Sequence, residues 1–115
     1  MAKTETKGRA AAARTVGKVD YESLYDAFLL LKSRDECARF MRDLCTPAEL
    51  QAFAERWRVV QILDRSDDSY QTIHAKTGVS ITTIGRVARF LLQEPYQGYR
   101  TILDRLKNKA YSKHF

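Results

Sequence analysis

Apolar side chains recur at three- and four-residue spacing along most of this chain, and capping or turn residues separate the runs, which predicts a series of amphipathic helices. Tyr21, Leu24, Phe28 and Leu31 form a first stripe that begins beside Asp20. Ser33 and Glu36 have the Ser-x-x-Glu spacing of a capping box, so a second helix should follow with Cys37, Phe40, Met41 and Leu44 facing inward. Thr46-Pro47-Ala48-Glu49 repeats the device with proline at the first helical position, and Cys45 opposite Leu50 has the spacing of a hydrophobic staple. The helix opened there should run to about Leu63, bury Leu50, Phe53, Ala54, Trp57 and Val60, and end at Ser66-Asp67-Asp68. After Glu94-Pro95, the positions of Tyr96, Tyr99, Leu103 and Leu106 predict a last helix that frays into a basic tail. Strand-like alternation and internal repeats are absent from the sequence, so the expected fold is all-α with about six helices.

Between those runs, residues 69–92 read as two short helices broken at Gly78. Ser69 can cap the first, which would bury Ile73, and Gly78 supplies the left-handed backbone of a tight turn. Val79 is expected to plug the elbow. Ser80 can cap the second helix, in which Ile84, Val87, Ala88 and Leu91 make one buried stripe. The opposite face carries Thr82, Gly85, Arg86 and Arg89, short, polar and cationic, as a major groove admits. A helix-turn-helix DNA reader is therefore expected. Ile81 and Thr82 would meet thymine methyls or base edges, Ser80 and Thr83 phosphate or bases, and Arg86 guanine or phosphate.

With 115 residues the chain can bury one modest core, and small helical chains are often completed by a second copy. The net charge of +6 suits a polyanionic partner. That charge lies at the ends: residues 1–19 set Lys3, Lys7, Arg9, Arg14 and Lys18 against Glu5, and residues 100–115 set Arg100, Arg105, Lys107, Lys109 and Lys113 against Asp104. In residues 66–95, by contrast, Lys76, Arg86 and Arg89 are balanced by Asp67, Asp68 and Glu94. The ends would supply phosphate attraction while the hairpin selects. The expected organisation is a flexible basic arm over 1–19, a helical DNA-binding domain over 20–108 and a basic tail over 109–115. Cys37 and Cys45, set among apolar neighbours without Cys-x-x-Cys spacing, are expected to be packed, reduced thiols of a cytosolic protein. No apolar run approaches the roughly 20 residues of a membrane span. His74 and His114 belong to no His-Glu-x-x-His, phosphate-cradling or acid-cluster motif, so neither a metal nor an enzymatic activity is expected.

From Leu44 to Leu92 the order of elements resembles the Trp-repressor superfamily, in particular its YerC/YecD branch of small bacterial proteins. The resemblance is carried by Leu44-Cys45-Thr46-Pro47-Ala48-Glu49-Leu50, by Glu55-Arg56-Trp57-Arg58-Val59-Val60, and by Thr77-Gly78-Val79-Ser80-Ile81-Thr82-Thr83-Ile84-Gly85-Arg86-Val87. It implies an intertwined homodimer that clasps through N-terminal helices and presents two recognition helices to successive major grooves, with half-sites about one DNA turn apart. It also implies a bacterial, cytoplasmic, nucleoid-associated protein. By the same resemblance Tyr70, Gln71 and His74 of the first hairpin helix face phosphate or base edges, while Gly85 stands where the Trp repressor has a threonine that helps meet DNA.

In the Trp repressor the corepressor tryptophan lies between two arginines. Thr46, Arg56, Thr83 and Arg86 match pocket positions here, but Val87 replaces a pocket glycine and Phe90 a pocket serine. Apolar bulk replaces space and polarity, which argues against tryptophan as ligand and leaves no cofactor expected. Val87 and Phe90 are expected either to fill the corepressor space from within and hold the recognition helix in place without ligand, or simply to pack as core residues of the stripe, and the two roles can coexist. The overall expectation is a transcriptional regulator, in the sense of a repressor, that binds palindromic operators in double-stranded DNA as a homodimer. The alternative is a helical protein-interaction module that has lost operator binding, a reading to which the neutral hairpin and Gly85 lend weight.

Overall fold

The computed structural model describes residues 17–113 and contains six helices, the first five of which begin where local capping chemistry puts them. Helix α1 (Tyr21–Leu29) starts at Asp20, whose carboxylate accepts from the Ser23 amide at 3.0 Å. Helix α2 (Arg34–Leu44) starts after Ser33, whose Oγ accepts from the Glu36 amide at 3.1 Å. Glu36 reaches one residue further back than a standard box, to the Lys32 amide at 2.9 Å. Helix α3 (Pro47–Arg65) has the full reciprocal box between Thr46 and Glu49, at 2.8 and 3.1 Å, and outlasts its expected end by two residues. There Ser66 turns extended and its hydroxyl donates back to the Ile62 carbonyl at 2.9 Å. Helices α4 (Tyr70–Thr77) and α5 (Ile81–Leu92) follow, capped by Ser69 and Ser80. Each of these caps satisfies amides that would otherwise have no partner in the first turn.

The described residues divide into two compact units on either side of Phe40 and Met41. In the first, Phe28 and Phe40 meet edge to face with centroids 5.3 Å apart. The buried core belongs to the second and comprises Val59, Val60, Ile73, Val79, Ile84, Val87, Leu91 and Leu103, with Trp57, Ile62, Leu63 and Tyr99 packed against it. The hairpin stripe is buried as expected, but of the core expected in the preceding helices only Val60 is buried, with Trp57 packed against the core. Neither α1 nor α2 contains a buried residue, and Cys37 is exposed rather than packed. Along α3 burial is confined to Val59 and Val60, while Phe53 is 43% exposed and Ala54 is also exposed. The reason is positional: only the later turns of α3 pack against the hairpin and the last helix within this chain, and amphipathic spacing does not say which turns find a partner.

Helix α6 (Gly98–Lys113) begins two residues after the expected Tyr96, which remains 75% exposed. Gln97 adopts a left-handed φ of 61° and its carbonyl accepts from both the amide and hydroxyl of Thr101, so the helix cannot extend backward. It continues through Lys113, into the segment read as basic tail; the arm at 1–16 and His114 lie outside the described residues. Apolar contact through Leu103 is joined by charge. The Asp64 side chain, 8% exposed, receives Arg100 at 2.9 Å and Lys107 at 3.1 Å. Burial alone would push its carboxyl up, but hydrogen bonds and attraction from Lys107 and Arg100 outweigh that effect and hold it below its ordinary value.

Candidate nucleic-acid interface

Four backbone groups of the hairpin turn, the Gly78 and Val79 amides and the Ile73 and Val79 carbonyls, have hydrogen-bond partners within the turn. Gly78 takes φ +77°, a conformation strained for any side chain, and its amide donates to the His74 carbonyl at 2.8 Å. Thr77 Oγ1 donates to the Ile73 carbonyl at 2.7 Å and accepts from the Val79 amide at 3.1 Å. The Val79 carbonyl lies 2.7 Å from His74 Nδ1, and its side chain plugs the elbow at 4% exposure. His74, read from sequence as a DNA-facing residue, is thus also part of the turn. Ser80 then caps α5 by accepting from the Thr83 amide at 3.1 Å, and the two hydroxyls meet at 3.0 Å. Ser80 and Thr83, both expected from the sequence to contact phosphate or bases, thus hold the helix start.

With Ile84, Val87, Ala88 and Leu91 buried, α5 leaves Ile81, Thr82, Arg86 and Arg89 exposed. On α4, Tyr70, Gln71 and His74 are exposed too, on the side reached by i, i+3 and i+4 spacing. The two helices meet where Tyr70 Cε2 comes within 3.9 Å of the place a Cβ on Gly85 would occupy. That is an ordinary van der Waals distance, so the ring rests against α5 without requiring a glycine there. Hairpin cations already have internal partners: Lys76 pairs with Asp68 at 2.6 Å and Arg89 with Glu94 at 2.9 Å. Arg58 approaches the Lys76 carbonyl at 3.5 Å, and Arg65 is exposed at the end of α3.

The residues matched to an effector pocket are only partly gathered. Arg86, Val87 and Phe90 line a cavity of about 290 Å³ together with Tyr96, Gly98 and Tyr99. Arg86 places its guanidinium 4.5 Å from the Phe90 ring centroid, and Phe90 stacks on Tyr96 at 6.2 Å with an interplanar angle of 15°. Val87 is 1% exposed and belongs to the core, whereas Phe90 is only half-buried. Thr46, Arg56 and Thr83 do not line this cavity: Thr46 caps α3, Arg56 lies over Phe53 at 5.4 Å and Thr83 bonds to Ser80 at the start of α5. Sequence reading missed Tyr96, Gly98 and Tyr99 as neighbours of Arg86. Arg86 and Phe90 are related by i, i+4 spacing and could have been paired, but no local signal brings the segment after Pro95 onto them.

Among the described residues no helix is long and apolar enough to cross a membrane, and no group of three or more His, Cys, Asp and Glu side chains could hold a metal ion. Comparison with known proteins agrees with the helical order. The chain is 40% identical over 88 residues to the uncharacterized protein YerC of Bacillus subtilis strain 168, covering 76% of this chain and 83% of that one. A crystal structure of a candidate Trp repressor from Staphylococcus aureus superposes with a TM-score of 0.69 at 38% identity, over 76% of this chain and 85% of the other. A TrpR-like protein from Eubacterium eligens ATCC 27750 gives a TM-score of 0.71 at 35% identity, over 82% of this chain and 95% of the other. The sequence profile described as Trp repressor protein matches residues 20–107, and the chain belongs to that family.

Proposed function

We propose that this protein is a sequence-specific DNA-binding transcriptional regulator that acts as a homodimer on palindromic operators, in the sense of a repressor, in the bacterial cytoplasm at the nucleoid. One observation carries the reading: a capped α4–Gly78–α5 turn presents Ile81, Thr82 and Arg86 outward from a helix whose opposite face is buried. Such a face can enter a major groove, with Tyr70, Gln71, His74, Ser80 and Thr83 placed along the same hairpin for phosphates or flanking bases. Family membership supports a regulatory rather than enzymatic role. Support for a dimer comes from α1 and the segment after it, where Tyr25, Leu29 and Leu30 are 55%, 83% and 74% exposed. A second copy would cover them.

Regulation is proposed to proceed without tryptophan. Val87 takes core space and Phe90 already occupies one face of the Arg86 guanidinium. Calorimetry should accordingly detect no tight stoichiometric tryptophan binding, and saturable binding at one site per subunit would overturn this part. The central test is selection of fragmented genomic DNA from the source organism by the purified protein, without tryptophan, followed by sequencing. Enrichment of an inverted repeat with half-sites roughly one turn apart is the expected result. If no sequence is enriched, with or without a metabolite mixture, and binding to mixed DNA is weak, the protein-interaction module is the better account.

A further inference from the structure

We infer that His74 is a positioning residue that also reads a base: its Nδ1–H holds the Val79 carbonyl, and its Nε2 accepts a hydrogen bond from the exocyclic amino group of adenine or cytosine. The inference rests on the DNA-binding reading above and assigns one of its contacts a chemistry. A carbonyl oxygen can only accept, so at 2.7 Å the ring nitrogen facing Val79 must carry the hydrogen. In the neutral ring the second nitrogen is then a bare acceptor. Phosphate oxygens are acceptors as well and are not its match. The donors that a major groove offers are the N6 amino group of adenine and the N4 amino group of cytosine. His74 is exposed and shares its side of α4 with Tyr70 and Gln71, the former lying against Gly85 of α5.

The anchoring half has its own consequence. Val79 immediately precedes Ser80, the cap of α5, and its amide is held by Thr77 while its carbonyl is held by His74. Both backbone groups ahead of the recognition helix are thereby fixed to the last turns of α4. Loss of the imidazole frees the carbonyl and lets the start of α5 shift, which would disturb every contact made from its first turn.

The two halves separate by substitution. In His74→Asn the amide nitrogen replaces Nδ1 and keeps the anchor without Nε2; His74→Gln places its amide near the Nε2 position and lacks the anchor. Nitrogen-15 NMR of the histidine-labelled full chain near neutral pH should show the Nδ1–H tautomer. In DNA selection, His74→Asn should lose roughly three- to tenfold preference at one adenine- or cytosine-bearing position of each half-site, the scale of a single hydrogen bond. Other positions should stay unchanged. His74→Gln should lose discrimination across the half-site while remaining helical by circular dichroism. An Nε2–H tautomer overturns the inference whether or not DNA binds. Unchanged base preference in His74→Asn overturns the reading role alone. A wild-type protein that has the Nδ1–H tautomer but selects no sequence overturns the regulator reading, and the base contact with it, while upholding the anchor.

Discussion

Helices α1 and α5 are both amphipathic and both open on a side-chain cap, yet α5 buries Ile84, Val87, Ala88 and Leu91 while α1 buries nothing. The difference lies in what each apolar stripe meets. The stripe of α5 closes on Val59 and Val60 of α3, Ile73 of α4 and Leu103 of α6 to make one contiguous core. That of α1 is half-buried at Leu24 and Phe28, the latter edge to face with Phe40, and beside it Leu29 is left 83% exposed. Capping and periodicity are sufficient to start a helix, but burial supplies most of its stability. A chain that carries both kinds of helix has a self-sufficient part and a part whose apolar surface calls for a partner.

The contrast can be broken most forcefully in the core. Ile84→Ala, at a side chain with 0% exposure, should cost about 2–5 kcal/mol in denaturant unfolding. A cost under about 1 kcal/mol would mean that the hairpin core is not what holds this unit together. Next in size is Asp64→Asn, which leaves Arg100 and Lys107 without their shared carboxylate and should cost about 1–2 kcal/mol, since both cations keep access to water. Because the Asp64 carboxyl is held below its ordinary value when folded, its contribution is complete above the usual aspartate range. It is lost as pH falls through the lowered folded value. Wild type and Asp64→Asn should therefore converge in stability on acidification, and parallel curves would remove Asp64 from the account. Thr46→Ala should cost about 1 kcal/mol by removing the capping box of α3. Smallest of all, Leu29→Ala should change the stability of the isolated monomer by less than about 0.5 kcal/mol. In the same variant, weaker self-association in sedimentation would place Leu29 in a subunit contact, and unchanged association would exclude it.

The helix starts were legible because a cap is a local event. Asp20, Ser33, Thr46, Ser69 and Ser80 each bond to an amide three residues on, and that spacing is visible in the sequence. The hairpin was legible for the same reason, since Gly78 and the stripe from Ile84 to Leu91 need no distant information. Burial of Phe53 and Cys37 was misjudged because amphipathic periodicity marks an apolar face without saying whether the chain packs anything against it. Asp64 was overlooked altogether: its partners lie 36 and 43 positions away, on a helix that must first dock. At the candidate interface, residue types and their helix faces could be read, but not the engagement of His74 with Val79 or the stacking of Tyr96 on Phe90. Those contacts depend on how the turn closes and where the chain goes after Pro95.

Arg86 resting on Phe90 has an entropic side. A free arginine side chain gives up as much as about 1.5–2 kcal/mol of rotamer freedom when it is fixed in a contact. Here part of that freedom is surrendered during folding, because the guanidinium already lies over an aromatic face within its own helix. If α5 enters a major groove as proposed, it would do so with one of its two outward arginines already partly ordered, and less disorder would remain to be lost at the moment of encounter.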